Sequence, residues 1–198
     1  MPLATPEDGT RVGEIIGKAF TTDPVSQWTM GSDRSIRALF ALLAKELYMP
    51  WGHCCLLEDK AATMWLWPNQ AKDLSLWIQL RLALILRDGI SFKYLFRALA
   101  VDAAMAHRRP REPHMYLFTV GVLPNARGQG LGGRIIRESL QHADRMGLPS
   151  YLENSNPANT GLYQRLGFVA RETFEPAPGC PPMTTMLRPP QSETIHGL

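Results

Sequence analysis

The sequence predicts an α/β fold of the α+β kind, because three patterns follow one another along the chain. Two capped amphipathic helices come first, a strand hairpin follows them, and the second half alternates strands with helices. The alternation begins at Met115–Val122, a run rich in Tyr, Phe, Thr and Val that suits a buried strand. A chain of 198 residues is expected to form one domain over 1–188, with a flexible tail at 189–198.

The first two helices begin at recognisable capping residues. Thr5 precedes a proline and is followed three residues later by Asp8, which is the pattern of a capped helix start. That helix is expected to end at Asp23, which precedes a proline, and we interpret Asp23 as a turn residue rather than a substrate ligand. Ser32 then caps a second helix with an apolar stripe at helical spacing.

A hairpin and two more helices are predicted before the central strand. The hairpin strands are Cys54–Leu57 and Thr63–Trp67, and the apolar stretches Leu74–Leu86 and Phe92–Met105 have helical character. The first stretch is too short to span a bilayer and is interrupted by polar residues, so no membrane contact is expected. We expect it to pack against the core or a partner.

A glycine-rich segment joins the strand Met115–Val122 to a helix that starts near Leu131. The glycines are Gly128, Gly130, Gly132 and Gly133. Backbone N–H groups at a helix start have no partner inside the helix and bind anions, and glycines let a phosphate approach them closely. Arg127 adds a positive charge with planar donors. The sequence therefore predicts a pyrophosphate cradle.

Two common phosphate-binding loops do not fit this segment. Gly128, Gly130 and Gly133 satisfy G-x-G-x-x-G, and Glu153 lies where a ribose-binding acid would stand. In the dinucleotide fold, however, the first glycine follows its strand almost directly and opens a large parallel sheet, for which too few residues follow here. The chain also lacks any Gly-Lys-Ser or Gly-Lys-Thr, which excludes the P-loop.

Two signatures resemble those of the GNAT acetyltransferase superfamily. Arg127, Gly130 and Gly132 fit the Arg-x-x-Gly-x-Gly pattern of its acetyl-CoA loop. The second signature is similar at Asn156, Asn159, Tyr163 and Gly167-Phe168, and the two together cover about Met115 to Phe168.

A closer similarity is to the puromycin N-acetyltransferase-like branch. It is carried by His107-Arg108, Glu112-Pro113, Thr119–Val122, Gly130–Gly132, Leu152-Glu153 and Tyr163–Phe168.

The resemblance implies a mixed, mostly antiparallel central sheet with helices on both faces and a splayed central strand pair. Residues 1–114 would form mainly the acceptor side and residues 115–188 the acetyl-CoA side. It implies transfer of an acetyl group from acetyl-CoA to an amine of a small molecule, by direct attack in a ternary complex. The implied acetyl-CoA contacts are Val120, Val122, Arg127, Gly128, Gln129, Gly130, Leu131, Gly132, Asn159 and Tyr163.

Four site residues also have simpler explanations. Tyr163 is expected to protonate the departing thiolate, although it could be a packing aromatic. Glu153 is either the general base or a solvated strand end. Asn159 is expected to contact the cofactor rather than only solvent. Trp28 is the candidate for a wall of the acceptor pocket, although most tryptophans lie in the core.

Composition restricts the class of protein. The net charge is only +3 and the basic residues are dispersed along the chain, so no nucleic-acid partner is expected. Three cysteines, two of them adjacent, and no signal peptide suggest a reducing cytoplasm, and the spacing of potential ligands does not predict a metal site. Two other functions stay open, a non-catalytic acyl-CoA sensor and a protein or peptide acetyltransferase. The sequence leaves the acceptor, acetyl against a longer acyl group, and monomer against homodimer undecided.

Overall fold

The structure is a computed structural model that describes residues 3–68 and 92–191. The described part forms seven α-helices and six β-strands. The helices are α1 (Gly9–Phe20), α2 (Pro24–Met30), α3 (Asp33–Leu43), α4 (Met49–Trp51), α5 (Phe92–Arg108), α6 (Leu131–Arg145) and α7 (Thr160–Arg165). The strands are β1 (His53–Leu57), β2 (Ala61–Leu66), β3 (Met115–Val122), β4 (Ser150–Asn154), β5 (Val169–Phe174) and β6 (Met183–Arg188). None of the described helices is long and apolar enough to cross a membrane.

All six strands belong to one sheet in the order β1-β2-β3-β4-β6-β5. Only β3 and β4 run parallel, and every other neighbouring pair is antiparallel. The α/β fold with a mixed, mostly antiparallel sheet is thereby confirmed.

The two central strands separate along their length. Met115–Leu117 of β3 pairs with Ser150–Leu152 of β4, and the pairing stops there although β3 continues to Val122. Beyond that point β3 stays paired with β2, while Asn154 of β4 pairs with Thr184 of β6. The carboxyl half of the sheet is therefore split into two antiparallel blocks with a cleft between them.

Helices cover both faces of this sheet. On one face α1 and α3 bury Val12, Ile16 and Ile36 against the strands. On the other face α6 buries Leu131, Ile135, Ile136, Leu140 and Ala143. A third cluster joins α2 and α5 to the closing strands through Val25, Val101, Met105, Phe174 and Met183.

A buried ion pair fastens the last strand to the end of α6. Arg188 is almost fully buried and donates two hydrogen bonds to the Asp144 carboxylate, at 2.6 and 2.8 Å. Its Nε also donates to the carbonyl oxygen of Leu166 at 2.9 Å, just after α7. The same guanidinium thus links α6, the end of α7 and the sheet.

Most predicted elements are observed close to their expected bounds. The Thr5 cap, the hairpin and the helix expected over Phe92–Met105 are confirmed. The helix expected over Leu74–Leu86 and most of the tail from residue 189 lie outside the described residues.

Two boundaries differ from the expectation. Asp23 does follow the first helix, but it is also the N-cap of α2. Its carboxylate accepts a hydrogen bond from the backbone N–H of Ser26 at 2.8 Å, and the next residue, Pro24, suits a first helical turn. The helix capped by Ser32 continues through a π-helical segment, Ala44–Tyr48, into α4.

Close contact between α1 and its neighbours depends on glycines. A Cβ built on Gly13 would lie 2.8 Å from the Cα of Ala41 in α3. A Cβ on Gly121 of β3 would lie 3.0 Å from the Cα of Ile16 in α1. Helix α1 is therefore held between α3 and the sheet at backbone contact distance.

We predict that Gly13→Ala destabilises the protein. The added methyl group meets backbone, so α1 and α3 must separate, at a cost of roughly 1–3 kcal/mol, partly offset by roughly 0.5–1 kcal/mol of better helix propensity. Gly161→Ala in α7 is the control, because its Cβ would meet only the flexible end of Arg165, at 3.3 Å. Urea unfolding should show a lower midpoint for Gly13→Ala alone, and equal midpoints would contradict the packing argument.

Candidate active site

A cavity of about 580 Å³ occupies the cleft between the separated strands. Its walls come from the end of β3, the glycine loop, the start of α6, the end of β4 and helix α7. Of the predicted acetyl-CoA contacts, the lining includes Val120, Val122, Arg127, Gly128, Gly130, Leu131, Gly132, Asn159 and Tyr163. Residues predicted from two separate signatures thus lie around one cavity.

The glycine loop has the backbone geometry that a phosphate cradle needs. Gly128 and Gly130 have φ of +81° and +75°, the left-handed region that favours glycine. A Cβ added at either position would meet nothing within 4 Å, so each faces open space in the cavity. Gly130 is the cap residue of α6, and the N–H groups of the first turn that follows have no partner inside the helix. The loop therefore fits a pyrophosphate.

Arg127 connects the loop to the opposite wall. One guanidinium nitrogen donates to the carbonyl oxygen of Ala19, near the end of α1, at 3.1 Å. The side chain is exposed and lines the cavity, so its other donors are available to an anion. Arg127 thus fixes the loop against α1 and adds positive charge to the cradle.

Tyr163 lies in the wall that α7 contributes. Its side chain is buried, and its ring meets Phe168 edge-on at 6.0 Å between centroids. Burial raises the pKa of Tyr163 strongly, and the negative charge of Asp23 raises it further. The hydroxyl therefore keeps its proton at neutral pH and is available as a donor.

A second, smaller cavity of about 200 Å³ adjoins the first on the side of α2, α3 and α5. Six residues line both cavities: Phe20, Asp23, Phe118, Thr119, Glu153 and Ser155. The two cavities therefore meet at one place, where β3 and β4 have just separated. A donor in the first cavity and an acceptor in the second could approach each other there.

Glu153 stands at this junction and is half-buried. The phenols of Tyr116 and Tyr151 are its neighbours, and burial followed by the charge of Glu153 raises the pKa of both. Arg109 lies behind them, with its guanidinium 4.2 Å from the centroid of the Tyr116 ring. Its positive charge also acts on Glu153. The carboxylate is thus embedded among phenols and one cation rather than left at a solvated strand end.

Asp23 is one of the junction residues that the sequence interpretation did not assign to the site. One carboxylate oxygen caps α2, and the other accepts the hydroxyl hydrogen bond of Ser155 at 2.6 Å. The Asp-Pro pattern predicted the turn correctly, but it carries no signal for a contact with a residue 132 positions away. Thr119, Ser155 and Arg165, which lines the larger cavity, were likewise not singled out.

Two predicted site residues lie elsewhere. Trp28 is outside the described lining of both cavities, and the Arg97 guanidinium covers its ring at 4.1 Å from the centroid. Arg97 also donates to the carbonyl oxygen of Trp28 at 2.8 Å, so this pair ties α2 to α5. Gln129 is exposed at the tip of the loop and is also absent from the described lining, although both of its neighbours belong to it. Within the described ranges, histidine, cysteine and acidic side chains form no group able to hold a metal ion.

The sequence profile of the Acetyltransferase (GNAT) family matches residues 36–168, more than half of the chain. The chain belongs to the GNAT family. This membership confirms the resemblance read from the two signatures, and the family uses acetyl-CoA. The expectation of an acetyl-CoA-dependent N-acetyltransferase rests on this membership and on relatives that carry acetyltransferase names.

Curated relatives match this GNAT protein over part of its length. A mycothiol acetyltransferase of Streptomyces avermitilis is 38% identical over 60 residues, which cover 29% of this chain and 20% of the relative. Glucosamine 6-phosphate N-acetyltransferase 1 of Oryza sativa subsp. japonica is 41% identical over 74 residues, covering 37% of this chain and 44% of the relative. The matched part thus spans about a fifth of the mycothiol enzyme and under half of the rice enzyme.

Solved structures support the fold over nearly the whole chain. A structure described as histone acetyltransferase HPA2 and related acetyltransferase, from Corynebacterium glutamicum, superposes with a TM-score of 0.69 at 23% identity, covering 98% of this chain and 97% of that one. A mosquito arylalkylamine N-acetyltransferase like 5b gives a TM-score of 0.59 at 14% identity, covering 94% and 97%. At these identities the likeness concerns the fold alone.

We predict that Gly130→Asp weakens coenzyme A binding strongly. The carboxylate would enter the space where phosphate approaches the backbone, and losing charge-assisted hydrogen bonds of roughly 1.5–3 kcal/mol lowers affinity roughly tenfold to hundredfold. Calorimetric titration measures the affinity.

Two controls accompany this variant. Gly130→Asn has nearly the same size and also tolerates positive φ, so it separates charge from shape. Gly147→Asp places an aspartate at φ +65° in open space, outside the described cavity lining. This variant should bind coenzyme A normally. Unchanged affinity for Gly130→Asp would remove the cradle assignment.

We predict that Arg127→Ala weakens coenzyme A binding less than Gly130→Asp does. The variant loses one charged side chain, whereas the backbone donors of the loop remain. The matched control is Arg137→Ala, an exposed arginine of α6 outside the described lining. If Arg127→Ala were the weaker binder of the two site variants, the guanidinium rather than the backbone would be the main anchor.

Proposed function

We propose that the protein transfers an acetyl group from acetyl-CoA to an amine of a small molecule, by direct attack in a ternary complex. One observation carries the proposal: two cavities meet where the central strands separate, and they share six lining residues. Such a meeting point lets two substrates be held at the same time, which direct transfer requires. It is less readily explained by an acyl-CoA sensor, which needs only the donor cavity.

The glycine loop, Arg127 and the first turn of α6 would hold the pyrophosphate of acetyl-CoA. When bound, acetyl-CoA supplies the acetyl group as a reactive thioester. Beyond Leu117, β3 is no longer paired with β4, so this edge of the strand faces the cleft. Backbone N–H groups on this edge, near Val120 to Val122, would stabilise negative charge on the acyl oxygen.

Tyr163 would protonate the departing thiolate. Tyr163 lines the larger cavity, and its phenol carries a proton at neutral pH. A proton donor of this kind acts only as the leaving group departs, so its contribution belongs to the rate of the chemical step.

Glu153 would accept the proton of the attacking amine. An amine is nucleophilic only when it is unprotonated, so a base within reach of both cavities is useful. Glu153 lines both, and its carboxylate lies close to the buried phenols of Tyr116 and Tyr151. This supports the base over the solvated strand end as the interpretation of Glu153.

The size of the acceptor cavity favours a small molecule over a protein or peptide. About 200 Å³ lies below the roughly 300–1,000 Å³ of common ligand pockets. The names of the curated relatives point the same way, since mycothiol and glucosamine 6-phosphate are small molecules. The expectations of a cytoplasmic location and of a monomer or homodimer stay predictions.

The direct test incubates the protein with acetyl-CoA and each amine of a panel. A thiol reagent then measures how much free coenzyme A is released. Amine-dependent release with formation of the N-acetyl product is expected. Calorimetric binding of acetyl-CoA with no turnover of any amine would favour the sensor. Turnover only with lysine peptides would favour the peptide acetyltransferase.

We predict that Tyr163→Phe lowers kcat by roughly 10²–10⁴-fold and changes the KM for acetyl-CoA little. The ring would still pack beside Phe168, and the missing hydroxyl matters only when the thiolate leaves. Tyr94→Phe is the control, because Tyr94 of α5 loses the same atom outside the described lining of both cavities. Near-normal kcat for Tyr163→Phe would reduce Tyr163 to a packing residue.

A further inference from the structure

The acceptor cavity has an uneven distribution of polar groups. Of the six residues that it shares with the donor cavity, four are polar: Asp23, Thr119, Glu153 and Ser155. The rest of the described wall is mostly apolar, with Met30, Phe40, Leu47, Leu95 and Val101 among its residues, and it has four polar side chains, those of Ser26, Thr29, Tyr48 and Asp102. An acceptor that fits this wall is polar at one end and apolar over the remainder.

The charged residues that the structure describes around this cavity are all acidic. Asp23 and Glu153 lie at the junction, and Asp102 of α5 lies on the other wall. The residues described around this cavity include no lysine or arginine, and Arg109 lies behind Glu153 rather than in the lining. A cationic amine is attracted into such a site, whereas a phosphate or carboxylate on the acceptor would be repelled and would lose its hydration without a counter-charge.

We propose that the acceptor is a primary amine on a small apolar body, such as one aromatic ring or a short alkyl chain, and that it is not a sugar or a sugar phosphate. The proposal rests on the acetyltransferase function proposed above. The carboxylates at the junction direct the amino group toward the donor cavity, and the apolar wall holds the body away from it. The acceptor would therefore differ from the polar ones that the curated relatives' names indicate.

The first experiment compares kcat/KM for hexylamine and 2-phenylethylamine with that for glucosamine and glucosamine 6-phosphate at saturating acetyl-CoA. At least tenfold preference for the apolar amines is expected. Along the series from propylamine to hexylamine, kcat/KM should rise by about fourfold per methylene, the fold-change that corresponds to about 0.8 kcal/mol of burial. Longer chains should bring no further gain once the cavity is filled.

A variant tests the cavity itself. Leu99 lines it on α5 and is 58% exposed, so Leu99→Lys should fold while it brings a cation and removes apolar wall. We expect at least fivefold lower kcat/KM for hexylamine with unchanged affinity for coenzyme A. Phe96→Lys is the matched control, because Phe96 is on the same helix, is 67% exposed and is outside the described lining.

The outcomes separate this inference from the proposed function. Turnover of glucosamine or its phosphate above that of the apolar amines overturns the inference and leaves the acetyltransferase function standing. Equal loss in Leu99→Lys and Phe96→Lys overturns the assignment of the cavity as the acceptor site. No turnover of any amine, with acetyl-CoA still bound in calorimetry, removes the proposed function and the inference with it.

Discussion

The arrangement of the whole site depends on where β3 and β4 stop pairing. Each strand keeps its other neighbour, since β3 remains paired with β2 up to Val122 and β4 with β6 up to Asn154. Two antiparallel blocks therefore twist apart from a short parallel segment, and each block remains hydrogen-bonded within itself. The gap exposes backbone along β3 inside the molecule, where loops from both halves of the chain can reach it. A sheet paired to the end would have no room for a donor.

The two sides of the cleft are joined at points that also carry charge. Arg127 reaches α1 through the carbonyl oxygen of Ala19, and Asp23 reaches the end of β4 through Ser155. Both contacts use residues that have a place in the proposed chemistry. Arg127 is a cation beside the phosphates, and Asp23 is an anion beside the amine. Helix α1 lies between these contacts and is held at backbone distance by Gly13 and Gly121. The spacing of the two cavities is consequently set by close packing rather than by mobile side chains.

The two cavities that meet at the junction differ in the charge of the groups around them. The donor side offers backbone N–H groups and Arg127, with Arg165 also in its wall, which suits an anionic ligand. The second cavity, which we assign to the acceptor, offers apolar surface and Asp102, and it shares the carboxylates of Asp23 and Glu153 with the first. In the proposed reaction this difference would help each cavity to select its own substrate. In the proposed reaction Glu153, at the junction, would take a proton from the amine, and Tyr163, in the wall of the larger cavity, would deliver one to the thiolate.

The sequence by itself determined the local features: helix caps, strand runs and the glycine loop with Arg127 follow from short-range chemistry within a few residues. Resemblance in the two signatures identified the family, and most predicted cofactor contacts do line one cavity. Only the tertiary structure revealed the second cavity, which we assign to the acceptor. The contact of Asp23 with Ser155 joins residues 132 positions apart, and Trp28 packs under Arg97 instead of lining the described cavity. No local pattern encodes such contacts, because a cavity wall is assembled from side chains whose neighbours are chosen by packing of the whole chain.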